Sequence, residues 1–164
     1  MTDEVNREGV PTWIPFPFSH AQAAALLQKN GFNAEFWDGV AEGGTLDSYL
    51  QRVISWSPDL YIQEVVAPTY PYDMEIFQRL RSALPRTVLA VAGTMITAWG
   101  KEMLVQNPVL DAGLTFEWEE TALALAEAVQ TQQSFFGISG LMHRQENQVI
   151  QEPRRPPPNL DELP

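Results

Sequence analysis

The residues able to perform acid–base or metal chemistry are few and scattered in this sequence. Histidine occurs twice, as His20 and His143, and the carboxylates Glu117, Glu119 and Glu120 cluster in the segment TFEWEE. Paired carboxylates can serve as acid and base, but acidic residues also stabilise the first turn of a helix, and we expect that structural role here. We expect His20 to lie in a first helical turn and His143 to point outward from a hairpin, without binding a metal.

The composition excludes several classes of protein. The chain has no cysteine, which rules out disulfides, thiolate nucleophiles, zinc–thiolate sites and cysteine-ligated iron–sulfur clusters within it. Its 21 acidic and 10 basic residues give a net charge of −11, which opposes binding to nucleic acids and anionic membranes. The polar first residues and the lack of a long apolar run lead us to expect a cytoplasmic protein.

The elements that must position any site alternate between helix and strand patterns. The 164 residues, 45% of them hydrophobic, are enough for one core. Strands that are buried on both faces and separated by helices are typical of an α/β fold with a doubly wound parallel sheet. Strands are expected at 32–38, 59–67, 87–93 and 110–116, and helices at 19–30, 45–56, 72–84 and 97–105 and from Glu119 onward.

The two ends of the chain differ from this alternating middle. Residues 1–18 are rich in proline and should form a loop, followed by an α/β domain over 19–134. Residues 135–152 are typical of a β-hairpin that turns at Glu146 and Asn147, with Met142 and Val149 facing inward. The proline-rich segment 153–164 is expected to be an extended linker towards a domain absent from this chain.

Two local features of the first helix bear on the fold. Ser19 and Gln22 have the spacing of a capping box, and Gly31 can supply the left-handed stop. A doubly wound fold normally opens with an apolar strand before this helix, but the residues before Pro11 are too polar to form one. Either the sheet has four parallel strands or the chain lacks its natural start.

In order and spacing, these segments resemble the cobalamin-binding domain that precedes the barrel of radical-SAM enzymes. The subgroup is that of the magnesium-protoporphyrin ester cyclases and hopanoid-associated enzymes. The segment PTWIPFPFSHAQAAALLQKNGFNAEFWDG is similar to the family's first helix and second strand, and SPDLYIQEVVAPTYPYDMEIFQRLRSALP to its third strand and helix. VLAVAGTMIT resembles the fourth strand, VLDAGLTFEWEETALALAEAV the fifth strand with its acidic turn, and RRPPPNLDELP the linker to the barrel.

The sequence departs from related cobalamin domains at His20, Met95 and Phe116. The Asp-x-His-x-x-Gly motif of mutases is missing, since Phe18 and Ala23 stand where its aspartate and glycine would flank His20. Radical-SAM relatives usually bind cobalamin without a histidine below the cobalt, so this absence is compatible with the resemblance. Phe116 occupies the place of a family glycine and would crowd the ligand unless it and Trp118 turn outward.

The resemblance implies that cobalamin lies across the carboxyl ends of the strands, as ligands do in open parallel sheets. The cofactor-binding residues that it suggests are Trp13, Ala67, Pro68, Thr69, Tyr70, Gly93, Thr94, Met95, Thr115, Phe116 and Glu117. Met95 stands where relatives often have a histidine. The same residues could equally be ordinary turn residues that close a sheet, and Trp13 could plug the sheet rather than cover the corrin.

The resemblance therefore implies a cobalamin-binding module of a radical-SAM methyltransferase or cyclase that is not catalytic alone. Radical-SAM chemistry needs three cysteines for its iron–sulfur cluster, so a barrel would have to be joined in cis or act in trans. The alternative is a diverged or truncated copy that has lost cobalamin and acts as a protein-interaction domain. A receiver or flavodoxin-like domain is disfavoured because no strand ends in a phospho-acceptor aspartate and no phosphate loop is present.

Overall fold

The computed structural model of the chain describes residues 16–39, 41–146 and 148–154. Trp13 and most of the expected linker lie outside these ranges. The helices and strands are α1 Phe18–Lys29, α2 Leu46–Trp56, β1 Leu60–Glu64, α3 Tyr70–Ala83, β2 Val88–Ala92, α4 Thr94–Trp99, α5 Lys101–Gln106, β3 Ala112–Leu114, α6 Glu119–Thr131, β4 Leu141–Gln145 and β5 Gln148–Gln151.

The strands form one five-stranded sheet in the order β1-β2-β3-β4-β5. The first three run parallel, with Leu60 opposite Val88 and Ala90 opposite Ala112, whereas the hairpin β4–β5 joins β3 in antiparallel fashion. The predicted α/β class with a carboxyl-terminal hairpin is confirmed, and the parallel part of the sheet has three strands.

Helices cover both faces of the sheet, which is why its central strands are almost wholly apolar. One core contains Leu50, Phe77 and Met103 from α2, α3 and α5, and the other contains Ala23 and Leu125 from α1 and α6. Residues 89–92 of β2 are all completely buried. No helix in the described ranges is long and apolar enough to cross a membrane.

The expected strand at 32–38 is not formed. A strand needs a neighbour to which it can donate and from which it can accept hydrogen bonds, and within the described ranges β1 pairs with β2 alone. The alternating pattern of these residues is real, but the described chain supplies no strand beside them.

The helix termini correct two further predictions. The capping box of Ser19 and Gln22 is absent because α1 begins at Phe18, after Pro17, which places Ser19 inside the first turn. The single helix expected at 97–105 is divided into α4 and α5 at Gly100, whose φ of 68° lies in the left-handed region that interrupts a helix.

In the hairpin, the prediction for His143 is wrong. Met142 is 1% exposed and Val149 packs on the same core, as expected, but His143 is itself only 2% exposed. β4 lies between β3 and β5, and Phe135 packs edge-on against the His143 ring. Both faces of β4 are therefore covered, and the polar ring is satisfied by Glu152, whose Oε1 lies 3.0 Å from His143 Nε2.

Candidate functional site

The loops that follow β1, β2 and β3 lie side by side at the carboxyl edge of the sheet, and we call their residues 65–70, 93–97 and 115–117 the rim. Hydrogen bonds connect the three loops directly. The Met95 N–H donates to the Val65 carbonyl at 3.3 Å, and the Phe116 N–H donates to Thr97 Oγ1 at 3.1 Å. The structure thus brings the sequence-predicted residues of all three strand ends into one continuous edge.

In the first rim loop, the backbone is exposed but the hydroxyl groups are already paired. Ala67 and Pro68 are exposed. The Thr69 hydroxyl donates to the buried Asp73 carboxylate at 2.6 Å, which fixes the turn into α3. The Tyr70 hydroxyl pairs with Asn107 at the end of α5, with oxygen atoms 3.2 Å apart. Only Ala67 and Pro68 therefore offer free surface in this loop.

A chain of buried polar groups continues from this loop into the core. Gln63 Nε2 donates to Asp73 Oδ1 at 2.7 Å, and the Tyr61 hydroxyl donates to Gln63 Oε1 at 2.6 Å. Burial raises the pKa of the Asp73 carboxyl, while the hydrogen bonds from Thr69 and Gln63 oppose that shift. The chain holds β1 against α3 and so sets the position of the first rim loop.

The second rim loop depends on a glycine. Gly93 has a φ of 94°, and a Cβ built on it would lie 2.4 Å from Glu64 Cγ. Thr94 is exposed, whereas Met95 packs against the core formed with α3 and α5. Thr94 is thus the one side chain of this loop that faces solvent freely, and Met95 serves packing.

The third rim loop is closed by the carboxyl-terminal segment. Thr115 is buried, and its hydroxyl donates to the Gly140 carbonyl at 2.8 Å. Phe116 is 49% exposed, and the Arg154 guanidinium lies 4.2 Å from its ring centroid while pairing with Glu117. Phe116 has a φ of 60°, a conformation that glycine adopts without strain.

The outward turn expected of both aromatic residues occurs in only one of them. Phe116 turns outward, but Trp118 is 3% exposed and packs against the ring of His20 at 5.1 Å between centroids. The indole therefore belongs to the core beneath α1 and α6 and does not line the rim.

His20 and Glu64 meet at the end of β1. His20 Nε2 accepts the Glu64 backbone N–H at 3.1 Å, and its Nδ1 lies 3.6 Å from Glu64 Oε2. Burial lowers the pKa of His20, with the charge of Asp38 opposing, and burial raises the pKa of Glu64. The described residues contain no group of three His, Cys, Asp or Glu side chains arranged to hold a metal ion.

Several residues near the rim were missed by the sequence analysis. Phe16 and Phe18 are 56% and 69% exposed at the start of α1, beside the end of β1 that His20 marks. The sequence feature that could have indicated them is the pair of phenylalanines, two positions apart, among prolines. Arg154 was assigned to the linker, although it helps to line a cleft of about 320 Å³ beside α6. That cleft also contains Thr115, Glu117 and Gly140.

Comparison with known proteins finds solved structures that share this fold. The fold superimposes on the cobalamin-dependent S-adenosylmethionine radical enzyme OxsB with aqua-cobalamin and S-adenosylmethionine bound, with a TM-score of 0.77 and 17% identity. The match covers 87% of this chain and 20% of OxsB. The radical S-adenosylmethionine methyltransferase TsrM of Kitasatospora setae, with cobalamin and a [4Fe-4S] cluster bound, gives a TM-score of 0.74 at 18% identity over 84% of this chain and 28% of TsrM.

Among curated sequences, the chain is 25% identical over 150 residues to the uncharacterized methyltransferase PH0819 of Pyrococcus horikoshii, covering 90% of this chain. No protein-family profile matches the sequence. The chain spans about a third of that methyltransferase, which the alignment covers to 32% of its length. The comparisons thus establish a Rossmann-like α/β fold for this chain.

Proposed function

We propose that this chain is the cobalamin-binding module of a radical-SAM enzyme of the methyltransferase type. The observation that carries the proposal is the continuous rim at the carboxyl edge of β1, β2 and β3, on a fold whose solved counterparts hold cobalamin. Ligands of open parallel sheets bind at this edge, where the loops can vary without disturbing the core.

The residue types at the rim fit a large, flat organic ligand. Small or exposed groups at Ala67, Pro68 and Thr94 leave room for a wide ligand, and the exposed aromatic rings of Phe16 and Phe18 offer apolar walls. Exposed aromatic residues clustered around one edge are typical of a binding surface. When bound, cobalamin would supply its cobalt chemistry, while the chain would bind and orient the corrin.

A radical-SAM barrel and a corrinoid are the partners in this proposal. The methyltransferase type is supported by the names of PH0819 and TsrM, whereas the cyclase type is supported only by the sequence resemblance. The barrel would act in cis or in trans, because the chain itself has no cysteine to ligate a cluster. A cytoplasmic setting, supported by composition alone, belongs to the same proposal.

Retention of hydroxocobalamin tests the proposal. The purified chain is incubated with hydroxocobalamin, excess ligand is removed by gel filtration, and the visible spectrum of the protein fraction is recorded. We expect corrinoid absorbance to remain with the protein. Loss of all corrinoid absorbance from a chain that circular dichroism shows to be folded would overturn the proposal.

Two matched tryptophan variants locate the site. Ala67 and Ala83 are both exposed, but Ala67 lies on the rim and Ala83 ends α3, the helix that leads from the rim to the opposite edge of the sheet. We expect Ala67→Trp to reduce corrinoid retention at least tenfold and Ala83→Trp to leave it unchanged. Equal retention by the two variants would show that cobalamin binds elsewhere.

The alternative function, a diverged interaction domain, is favoured by one observation. Phe116 stands where the resemblance has a glycine, and Arg154 covers its ring while pairing with Glu117. This contact closes part of the rim in the chain as it stands. A folded chain that retains no corrinoid would support this second function.

A further inference from the structure

Glu64 lies where the first two loops of the rim begin to separate. It is the last residue of β1, directly before residues 65–70 of the rim, and it is in register with Ala92 of β2. Gly93 follows Ala92 and opens the second rim loop. The Glu64 side chain is 36% exposed, so a ligand at the carboxyl edge of the sheet can reach its carboxylate.

Gly93 makes room for this carboxylate. A Cβ built on residue 93 would lie 2.4 Å from Glu64 Cγ and 2.9 Å from Glu64 Oε1. Any side chain at residue 93 would therefore displace the side chain of Glu64. Because residue 93 is glycine, Oε1 can lie over the backbone of the second rim loop, between the ends of β1 and β2.

The carboxylate of Glu64 lacks a hydrogen-bond donor. Among residues 16–39, 41–146 and 148–154, no group donates a hydrogen bond to it, and the one ionisable partner within 4 Å is His20. His20 Nδ1 lies 3.6 Å from Oε2, which is beyond hydrogen-bonding distance. Burial raises the pKa of the Glu64 carboxyl, and no donor offsets that shift. A half-buried carboxylate without a donor is costly unless another molecule supplies one.

His20 orients this carboxylate. The ring accepts the Glu64 N–H at Nε2, so its proton lies on Nδ1. Nδ1 is buried without a hydrogen-bond partner, and Oε2 of Glu64 lies in front of it. The positive end of the Nδ1–H bond attracts Oε2, which leaves Oε1 turned towards Gly93 and the rim.

Other polar side chains of the rim already have partners within the chain. The hydroxyl groups of Thr69, Tyr70 and Thr115 form hydrogen bonds with other residues, and Glu117 pairs with a guanidinium. Glu64 is thus the carboxylate at this edge to which no described group donates a hydrogen bond.

We propose that Glu64 is a ligand-binding residue of this site, and that its carboxylate accepts a hydrogen bond from an amide N–H group of the bound corrinoid. The inference rests on the proposed function and adds a chemical requirement to it. An ionised carboxylate offers acceptors alone, so it favours ligand side chains that carry N–H donors over side chains that end in esters.

Two corrinoids and two variants at residue 64 test this requirement. Dicyanocobinamide carries amide side chains around the ring, whereas dicyanocobyrinic acid heptamethyl ester has esters in their place and no N–H donor. Dissociation constants for both ligands are measured by equilibrium dialysis at one pH for the parent chain, Glu64→Met and Glu64→Gln. Glu64→Met keeps an unbranched side chain over Gly93 but removes both acceptor oxygens. Glu127→Met on the exposed side of α6 is the matched control.

The expected loss of affinity depends on the ligand. We expect Glu64→Met to weaken binding of dicyanocobinamide about tenfold and to change binding of the heptamethyl ester by less than about twofold. Glu64→Gln keeps one acceptor and should weaken binding of dicyanocobinamide by about threefold. Its side chain is nearly isosteric with that of Glu64, so it provides the same comparison if Glu64→Met does not fold. Equal weakening of both ligands, or no weakening of either, would overturn the inference.

The ionisation of Glu64 gives a second measurement, which separates a direct contact from a structural effect. The pKa of the Glu64 carboxyl is followed by carbon-13 NMR in the free chain and with each ligand at saturation. An amide N–H donor stabilises the charged form, so dicyanocobinamide should lower this pKa, whereas the ester, which only excludes water, should not. A pKa of Glu64 that dicyanocobinamide leaves unchanged would overturn the inference.

Failure of this inference is distinguishable from failure of the proposed function. A folded parent chain that binds neither corrinoid contradicts the cobalamin-binding module, and the role of Glu64 with it. A parent chain that binds both corrinoids, with variants at residue 64 that bind them equally well, keeps the module and removes Glu64 from its site.

Discussion

The imidazole of His20 accepts the backbone N–H of Glu64, with 3.1 Å between Nε2 and the amide nitrogen. This bond joins α1 to the end of β1, the first strand in the sheet order, across 44 residues of sequence. It requires that Nε2 carry no proton, so the neutral ring with its proton on Nδ1 is the form that fits. Charging the ring would add a proton at Nε2, which would then face the Glu64 N–H as a second donor, so the bond is lost in the charged form.

The first prediction concerns the pH dependence of stability through His20. Its pKa is lowered in the folded chain, so the unfolded chain binds the proton more readily. The stability that neutral His20 contributes is complete above its unfolded value of 6.5 and falls as the pH drops below it, by at most about 1.4 kcal/mol per pH unit. The free energy of unfolding in urea, measured at pH 7.5 and 5.5, reports this loss.

The ionisation of Glu64 changes the stability of the fold with pH in the opposite direction to that of His20. Glu64 is therefore replaced in both of the variants that are compared. Its pKa is raised, so its contribution to stability is complete below the unfolded pKa of 4.5 and is lost as the pH rises through the folded pKa. We therefore expect Glu64→Gln to lose more stability between pH 7.5 and 5.5 than the double variant Glu64→Gln, His20→Gln. Equal losses would show that His20 is not the titrating group.

A second prediction tests the glycine of the second rim loop. Gly93→Ala should destabilise the chain by about 1–3 kcal/mol through its φ of 94° and by more through contact with Glu64. The matched control is Gly43→Ala, where φ is 68° and nothing lies within 4 Å of the added Cβ. The excess cost at Gly93, measured by urea unfolding, should shrink in a Glu64→Ala background, because the contact is removed while the backbone strain remains. Persistence of the full excess in that background would mean that contact with Glu64 is not its source.

A third prediction concerns Phe116. Its left-handed φ of 60° strains the backbone, and its ring makes a cation–π contact with Arg154. Phe116→Gly relieves the strain but loses the contact, so stability should change by less than about 1 kcal/mol. Phe116→Ala loses the contact without relieving the strain and should be the less stable of the two in thermal unfolding.

The same pair of variants bears on ligand access. We expect Phe116→Gly to retain at least as much hydroxocobalamin as the parent chain, because removal of the ring and of its contact with Arg154 opens the rim. Reduced retention by a folded Phe116→Gly chain would indicate that the ring itself contacts the corrin. Greater stability of the alanine variant over the glycine variant would contradict the argument from strain.

A fourth prediction concerns the buried pair of His143 and Glu152. The hydrogen bond from His143 lowers the pKa of Glu152, with a backbone hydrogen bond from Gly137 acting in the same direction. Ionised Glu152 therefore contributes stability above its unfolded value of 4.5, and this contribution is lost as the pH falls through the lower folded value. Glu152→Gln should lower the free energy of unfolding by about 1–3 kcal/mol at pH 7. The variant should also lose less stability than the parent chain as the pH falls.

Urea unfolding between pH 7 and pH 3 measures both effects. Glu127→Gln on the exposed side of α6 is the control and should behave as the parent chain does. If the parent and Glu152→Gln chains lose equal stability as the pH falls, the Glu152 carboxylate is not the source of the pH dependence.

Much of the fold could be predicted because its signals are local. The apolar run of β2, the acidic start of α6 at Glu119 and the stop at Gly31, whose φ is 86°, each follow from the residues themselves. Strand ends were predicted one to three residues too long, since an apolar residue next to a strand has the same periodicity as one inside it.

The rim was predictable as a location but not as a set of free side chains. Parallel strands end at one edge of a sheet, so the sequence alone predicts that the residues following β1, β2 and β3 lie close together. Only the tertiary structure shows that the hydroxyl of Thr69 is committed to Asp73 and that of Thr115 to Gly140. Hydrogen bonds between side chains and distant backbone depend on packing, which periodicity does not encode.

The sequence by itself determined the α/β class, the lack of a thiol ligand and the residues that follow the three parallel strands at one edge of the sheet. The tertiary structure decided which strand patterns became strands and which polar groups were buried. Residues 32–38 have the pattern of a strand but no strand beside them in the described part of the chain, and His143 became buried because β4 is an interior strand with Phe135 packed on its face. The physical reason is common to both: a strand is defined by its partners, and partners are distant in sequence.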